Sequence, residues 1–185
     1  LRRQRQMCIR DRFQLIGAMN PCRCGYLGDG GRECGRAPRC GEDYQSKLSG
    51  PLLDRIDITI GVMPLSPREM SWIPSGESSA IVAQRVAEAR ARAIQRYGED
   101  GPGSNAEAGP DLMPTTTEAR EFLERAAEKL QLSVRGQIRA LRVGRTIADL
   151  AGAQETQRFH IAEALTYRHK LPQQATLERL RAAGL

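Results

Sequence analysis

Four cysteines lie close together in a glycine-rich part of the chain and could hold a metal ion. Cys22, Cys24, Cys34 and Cys40 fall within a stretch of 19 residues. Four thiolates in such a stretch can bind a tetrahedral Zn²⁺, which would replace the hydrophobic core that the stretch lacks. The spacing differs from the usual pair of CxxC motifs, so reduced structural cysteines and disulfides remain open alternatives.

Arg55 stands at a boundary between two predicted elements, where an arginine could project from the edge of a domain. It follows a short apolar helix expected near residues 48–53. It also begins a run in which isoleucines alternate with polar residues, a pattern that predicts a half-buried strand over residues 55–62. The alternative is an ordinary surface ion pair with Asp54 or Asp57.

The helix predicted over residues 133–151 carries four arginines on or beside its apolar face. Arg145 falls inside the apolar stripe, where a charge is costly unless it is paired or bound to an anion. Arg135 lies in the first turn, where free backbone N–H groups favour phosphate. Arg139 and Arg142 share a neighbouring face and are typical of a solvated basic surface.

Length and composition restrict the class of protein. The 185 residues allow one domain or two small ones. The net charge is +6, but residues 1–11, with four arginines against one aspartate, supply half of it, so charge alone is weak support for nucleic-acid binding. We expect residues 1–11 to be disordered or an artefact of the reading frame. An aromatic content of 4% is too low for a base-stacking platform, and no run of about 18 apolar residues exists that could span a membrane.

Apolar periodicity predicts two strands followed by a helical region. The strands are expected over residues 13–19 and 55–62, on either side of the cysteine-rich loop. Four helices are expected over residues 78–97, 115–130, 133–151 and 155–168, with Thr115 and Ser133 as N-terminal caps and Gly152 closing the third. Residues 98–114 are rich in glycine and proline and predict a flexible loop. His160 lies on the last of these helices and is expected to be structural.

Several motifs occur in one order along the chain: FQLIGAMNPCRCGYLGD, LSGPLLDRIDITI, LSVRGQIRALRVGRTIADLAG and HIAEALTYR. In them the sequence resembles the magnesium-chelatase-like AAA+ ATPases of the ComM/YifB type, over roughly residues 12–169. The resemblance covers only the second half of such a protein. The P-loop and the Walker B strand, which this chain does not contain, would lie before residue 13.

The resemblance implies an α/β fold class: a partial AAA+ core with a sensor 1 strand, a cysteine-rich loop and an arginine-finger strand, followed by an all-α helical lid. The core fragment would span residues 12–63, a connector residues 64–76, the lid residues 77–170 with its loop 98–114, and a tail residues 171–185. The two strands are not neighbours in an AAA+ sheet, so neither has a direct partner here and their edges would be exposed.

The resemblance also implies roles for particular residues. Asn20 matches sensor 1, which orients the attacking water, and Arg55 matches the arginine finger, which reaches the ATP of a neighbouring subunit. Arg135 matches the sensor 2 arginine, with Arg145 as the second choice. Cys22, Cys24, Cys34 and Cys40 match cysteines of the family's inserted loop. Many relatives have a second CxC pair where this chain has Cys34 and Cys40, so the chain departs from the family pattern at this pair.

The implied function is that of the C-terminal part of an ATP-hydrolysing ring motor that acts on DNA in transformation or recombination. The complete protein would bind ATP and Mg²⁺, form a homo-oligomer, expected to be a hexameric ring, and work in the cytoplasm without a membrane partner. This chain alone, which lacks the nucleotide cradle, should not hydrolyse ATP. The alternatives are a free-standing zinc-loop module that binds nucleic acid and the ATPase subunit of a metal chelatase.

Overall fold

A computed structural model of the protein describes residues 14–29, 31–32, 34–62, 65, 71, 76–98 and 100–168. Residues 1–11, the tail 171–185 and most of the connector 64–76 lie outside the described residues. The chain divides into two compact units, Leu1–Gln45 and Ser46–Leu185. The described residues form six α-helices, which in chain order are α1 (Arg39–Gln45), α2 (Gly50–Leu53), α3 (Ser79–Tyr97), α4 (Thr117–Leu130), α5 (Val134–Leu150) and α6 (Arg158–Thr166).

Neither predicted strand forms within the described residues. Residues 14–19 and 55–62 have no strand assignment, and their apolar side chains face solvent: Ile16 is 86% exposed and Val62 is 89% exposed. A strand is stable only when a neighbour pairs with its backbone and a packed layer covers its apolar face. The two segments have the alternating pattern of strands, but no strand pairs with either of them among the described residues. The α/β part of the expected fold is therefore not seen, and the described structure is helical.

Three of the helix boundaries expected from the sequence are confirmed. α3 begins after Ser78, whose hydroxyl accepts a hydrogen bond from the Ile81 amide. α5 begins after Ser133, whose hydroxyl accepts a hydrogen bond of 3.0 Å from the Gly136 amide. It ends at Leu150 and is closed by Gly152 at a φ of 73°, a left-handed conformation that glycine adopts without strain.

Two other helices begin later than the sequence indicates, for one shared reason. Thr115 and Thr156 form a parallel β-bridge, in which the Thr156 amide donates to Pro114 O at 2.8 Å. Thr115 is therefore not available as a cap, and Thr116 caps α4 instead, through its hydroxyl and the Ala119 amide. Because Thr156 is held in the bridge, α6 starts only at Arg158.

The interior of the second unit lies between α4, α5 and α6. Eight buried residues form its apolar core: Ala108, Met113, Ala119, Leu123, Ala140, Leu141, Ile161 and Leu165. α5 and α6 approach closely at Gly144, where a Cβ would lie 2.8 Å from Ile161 Cδ1. The segment 98–114, expected to be a flexible loop, contributes Ala108 and Met113 to this core.

His160 takes a structural place in the same unit, as expected. It is 1% exposed, and its Nδ1 accepts a hydrogen bond of 3.0 Å from the Gln157 amide, which caps the start of α6. Burial lowers the pKa of His160 below its ordinary value, and the nearby charge of Arg145 lowers it further. No helix in the described part of the chain is long and apolar enough to cross a membrane.

Candidate functional site

The structure brings the sulfur atoms of Cys22, Cys24 and Cys40 together in the first unit, with Cys34 beside Cys40 and outside this group of three. Cys22 Sγ lies 3.1 Å from Cys24 Sγ, and Cys34 Sγ lies 3.3 Å from Cys40 Sγ. The ligand atoms of Cys22, Cys24 and Cys40 are all within 4.8 Å of one another. All four thiols are free, with Cys22 fully buried and the others at least partly exposed. The cluster has the donor atoms and the spacing to hold a metal ion.

Local backbone geometry explains how distant cysteines meet. Gly25 and Gly28 both adopt positive φ, at 83° and 87°, and reverse the chain after the first cysteine pair. Cys40 lies in the first turn of α1. Gly41, next to it, leaves room for Leu27, since a Cβ there would come within 2.5 Å of a Leu27 methyl group.

The thiols perturb one another strongly. The pKa of Cys34 is lowered, first by the hydrogen bond that it shares with Cys40, then by the backbone of Arg36 and by Cys24. The pKa of Cys40 is raised to about 12, first by its hydrogen bond with Cys34, then by burial and by Cys22. The first thiolate of this pair therefore forms at Cys34, where the remaining thiol stabilises it.

Arg55 is exposed and forms no ion pair within the described part of the chain. It lies one residue beyond Asp54, the C-terminal cap of α2, a short helix whose N-terminus is capped by the Ser49 hydroxyl, and its Nη1 donates to Pro51 O at 2.7 Å. The aspartates on either side have other partners: Asp54 lies 3.9 Å from Arg168, and Asp57 pairs with Arg139. The surface ion pair considered as an alternative for Arg55 does not form.

Residues 54–59, which we name the finger segment, are held by the helical part of the second unit. Arg168 Nη1 donates to Ile56 O at 3.0 Å, and the Thr59 amide donates to Tyr167 O at 2.9 Å. The ion pair between Asp57 and Arg139 of α5 adds a third contact. Arg55 is thus an exposed arginine on a segment with fixed ends. Sequence inspection gave no signal for Arg168, which lies 112 residues from Ile56.

Arg135 is exposed in the first turn of α5, as the sequence predicts. It lines an open depression of about 360 Å³ with Val134, Ile138, Arg139 and Arg142. Arg139 and Arg142 are less solvated than expected, because Arg139 pairs with Asp57 and Arg142 donates to Ala108 O at 3.0 Å. Arg135 is therefore the most accessible of these cations.

Arg145 has the opposite environment, since it is fully buried and both of its Nη atoms donate to protein acceptors, while its Nε has no partner among the described residues. Its Nη2 donates to Asp149 Oδ1 at 3.0 Å and to Ala153 O at 2.6 Å, and its Nη1 donates to Pro114 O and Gln154 O. Burial lowers the pKa of Arg145, which the charge of Asp149 partly offsets. The sequence left two possibilities for the buried charge of Arg145, an acidic partner or a bound anion, and the structure shows the partner, Asp149.

Asp149 is the centre of a buried polar network that the sequence analysis missed. It is 1% exposed and accepts hydrogen bonds from Arg145, from Arg96 at the end of α3 and from Asn105, the last at 2.8 Å. Tyr97 OH in turn donates to Asn105 Oδ1 at 2.7 Å. The spacing of four residues between Arg145 and Asp149 is the one signal that the sequence offers for it.

Comparison with known proteins decides the family. The model of the C-terminal region of magnesium chelatase subunit ChlI matches residues 76–168, half of the chain, and the model of magnesium chelatase subunit ChlI matches residues 1–70. The chain belongs to the magnesium chelatase ChlI family. The resemblance found in its motifs is thereby confirmed.

Within the ChlI family the chain is similar to bacterial proteins of greater length. It is 41% identical over 160 residues to the competence protein ComM of Haemophilus influenzae. It is 38% identical over 171 residues to the uncharacterized protein Rv2897c of Mycobacterium tuberculosis, and 36% identical over 159 residues to the uncharacterized protein YifB of Escherichia coli. These alignments cover 85%, 90% and 85% of this chain but only 31%, 33% and 31% of the relatives. The chain thus spans about a third of the length of the curated relatives it matches.

The residues assigned by the ChlI-family resemblance fall in both units. Asn20 is exposed just before the cysteine cluster in the first unit, whereas Arg55, Arg135 and Arg145 belong to the second. Within the second unit, Arg135 and Arg139 lie one turn apart on α5, so the helix that carries Arg135 also contacts the finger segment.

Proposed function

We propose that the chain is the C-terminal part of an ATP-hydrolysing ring motor, and that Arg55 acts on the ATP of the neighbouring subunit. The observation that carries this proposal is the state of Arg55: it is exposed, its flanking aspartates pair with other arginines, and its segment is anchored at Ile56, Asp57 and Thr59. An exposed arginine on an anchored segment, without an ion pair among the described residues, suits a finger that must meet phosphate charge on another chain.

Two further residues would complete the contribution of this chain to the nucleotide site. Arg135 is exposed, beside an open depression, and would contact the phosphates as the sensor 2 residue. Arg145 is the weaker candidate because its guanidinium is buried and bonded to protein acceptors. Asn20 would orient the attacking water. The P-loop and the Mg²⁺ ligands would come from residues of the complete protein outside this chain.

The substrate on which the motor acts is proposed from the relatives. ComM is named a competence protein, and we propose that this chain belongs to a cytoplasmic hexamer that moves along DNA. The family description favours a second candidate, the motor subunit of a metal chelatase. The effect of DNA on ATP turnover distinguishes the two candidate functions. A DNA motor hydrolyses ATP faster when DNA is added, and this stimulation declines steeply with salt because phosphate contacts release counterions. Stimulation by a chelatase partner but not by DNA would favour the chelatase.

The test uses the longer open reading frame that contains these residues, with Arg55→Ala as the main variant. We expect ATP turnover to fall by about a thousandfold or more, the range typical of an arginine finger, with ATP binding unchanged. Arg158→Ala is the matched control, because Arg158 is also an exposed arginine of the second unit, and it should retain full turnover.

Mixing two inactive variants distinguishes action on a neighbour from action within one subunit. If Arg55 reaches the neighbouring ATP and Arg135 contacts ATP of its own subunit, rings assembled from Arg55→Ala and Arg135→Ala subunits contain some sites with both arginines, and turnover partly recovers. No recovery, or normal turnover of Arg55→Ala alone, would refute the finger assignment. ATP turnover by the isolated 185-residue chain would refute the proposal that the nucleotide cradle lies elsewhere.

A further inference from the structure

Among the described residues of the first unit, the cysteine cluster is the feature that could replace a hydrophobic core. Among the described residues of this unit only Cys22 and Gly41 are buried, and every described aliphatic or aromatic side chain is at least partly exposed. The unit spans 45 residues, close to the length of about 40 below which chains usually need disulfides, metals or oligomerisation to fold. Apolar burial within the described residues does not explain why this unit is compact.

The separations between the thiols are near those of a tetrahedral metal site, with Cys34 close to Cys40 but outside the group of three formed by Cys22, Cys24 and Cys40. With Zn–S bonds of about 2.3 Å, the sulfurs of a tetrahedral thiolate site lie about 3.8 Å apart. The pairs Cys22–Cys24 and Cys34–Cys40 are at 3.1 and 3.3 Å, and the first pair lies within 4.8 Å of Cys40. Both pairs are longer than a disulfide bond of about 2.05 Å.

We propose that Cys22, Cys24, Cys34 and Cys40 bind one Zn²⁺ ion as four thiolates, and that this ion stabilises the first unit. Four sulfur ligands in tetrahedral arrangement are typical of zinc or of iron, and a closed site with four protein ligands is typical of structural rather than catalytic zinc. Binding releases the thiol protons to solvent, so affinity falls as the pH is lowered. The inference is independent of the proposed ATPase function, because it uses only the residues of this loop.

The test begins with the full 185-residue chain, purified under reducing conditions and analysed for metals by mass spectrometry. We expect one zinc per chain. Replacement of zinc by Co²⁺ should give the intense absorption of a tetrahedral cobalt–thiolate site, and removal by a chelator should increase amide hydrogen exchange over residues 20–45 without changing exchange in α5. A wild-type chain without stoichiometric metal, with iron in place of zinc, or with two disulfides by intact mass would overturn the proposal.

Single serine variants then identify the ligands. Each of Cys22→Ser, Cys24→Ser, Cys34→Ser and Cys40→Ser should weaken zinc binding by more than about tenfold, since loss of even an outer-shell partner costs about that much. Cys8→Ser is the matched control, because Cys8 is the one cysteine outside the loop, and it should bind zinc like the wild type. Cys22→Ser with unchanged zinc affinity, or Cys8→Ser with reduced affinity, would refute the ligand set. The cobalt spectrum of the wild type decides the matter if a variant fails to fold.

Discussion

Replacing Asp149 by asparagine tests whether the buried network stabilises the second unit. The variant keeps the shape of the side chain but removes the negative charge that faces Arg145, which is fully buried, and Arg96, whose side chain is 15% exposed. It also replaces one acceptor oxygen by an N–H donor. The new donor would face other donors, because the side chain at this position accepts hydrogen bonds from Arg145, Arg96 and Asn105. The variant therefore leaves at least one buried cation without its counter-charge.

The expected cost of Asp149→Asn follows from this geometry. Removing one partner of a buried ion pair destabilises proteins by about 3–5 kcal/mol. Because Asp149 is only 1% exposed, water cannot reach the arginines in place of its carboxylate unless the unit opens. Domains of this size have a total stability of about 5–15 kcal/mol. The variant should thus lose a large part of the free energy of unfolding, although the substituted residue does not contact Arg55 or Arg135 directly.

Urea unfolding, followed by helical circular dichroism, measures the effect. The control is Glu118→Gln, which removes an exposed ion pair with Arg158 at 3.8 Å and should change stability by less than about 1 kcal/mol. The double variant Arg145→Met with Asp149→Leu should recover part of the loss, because it also removes Arg145, the fully buried one of the two cations that face Asp149. Equal midpoints for wild type and Asp149→Asn, or a double variant no more stable than Asp149→Asn, would refute the reasoning.

Three further perturbations have defined outcomes. The free energy of unfolding should decrease as the pH falls below about 6.5, by at most about 1.4 kcal/mol per pH unit. The reason is that His160 binds a proton more readily in the unfolded chain than in the folded chain, where its pKa is lowered. The urea midpoint of His160→Gln should lack this contribution to the pH dependence. Gly144→Ala should cost about 1–3 kcal/mol by chemical denaturation through overpacking, whereas Gly109→Ala, with open space around its Cβ, should be near neutral. Arg139→Ala should speed hydrogen exchange of the Thr59 amide in the finger segment while costing less than about 1 kcal/mol of global stability.

Local signals predicted the helices well where neighbours do not interfere. Ser133 and Gly152 mark the two ends of α5 through their own hydrogen bonding and backbone conformation, so its bounds were readable from the sequence. The cap of α4 was misplaced by one residue because Thr115 pairs with Thr156, which lies 41 positions further along. Such pairing leaves no local pattern in the sequence.

The residue types of the candidate site were predictable from the sequence, but the hydrogen-bond and ion-pair partners of those residues were not. The cysteines at 22, 24, 34 and 40 could be recognised as a candidate metal site because the glycine-rich loop that contains them has few apolar residues to form a core. The isolated charge of Arg145 was also readable, but its environment depends on Arg96 and Asn105, which lie 53 and 44 residues from Asp149. The alternation at residues 55–62 predicts a strand, yet a strand requires pairing that the described residues do not provide.

Helix α5 links stability and proposed function because its two halves have different tasks. Its C-terminal half is fixed by Arg145 and Asp149, both buried. A helix propagates that constraint along its length, so Arg139 and Arg135, two and three turns earlier, project in a fixed register. Arg139 holds the finger segment and Arg135 faces the open depression. Under the proposed function, the buried pair therefore stabilises the helix, and the helix in turn orients both arginines that would meet nucleotide: Arg135 directly and Arg55 through the finger segment.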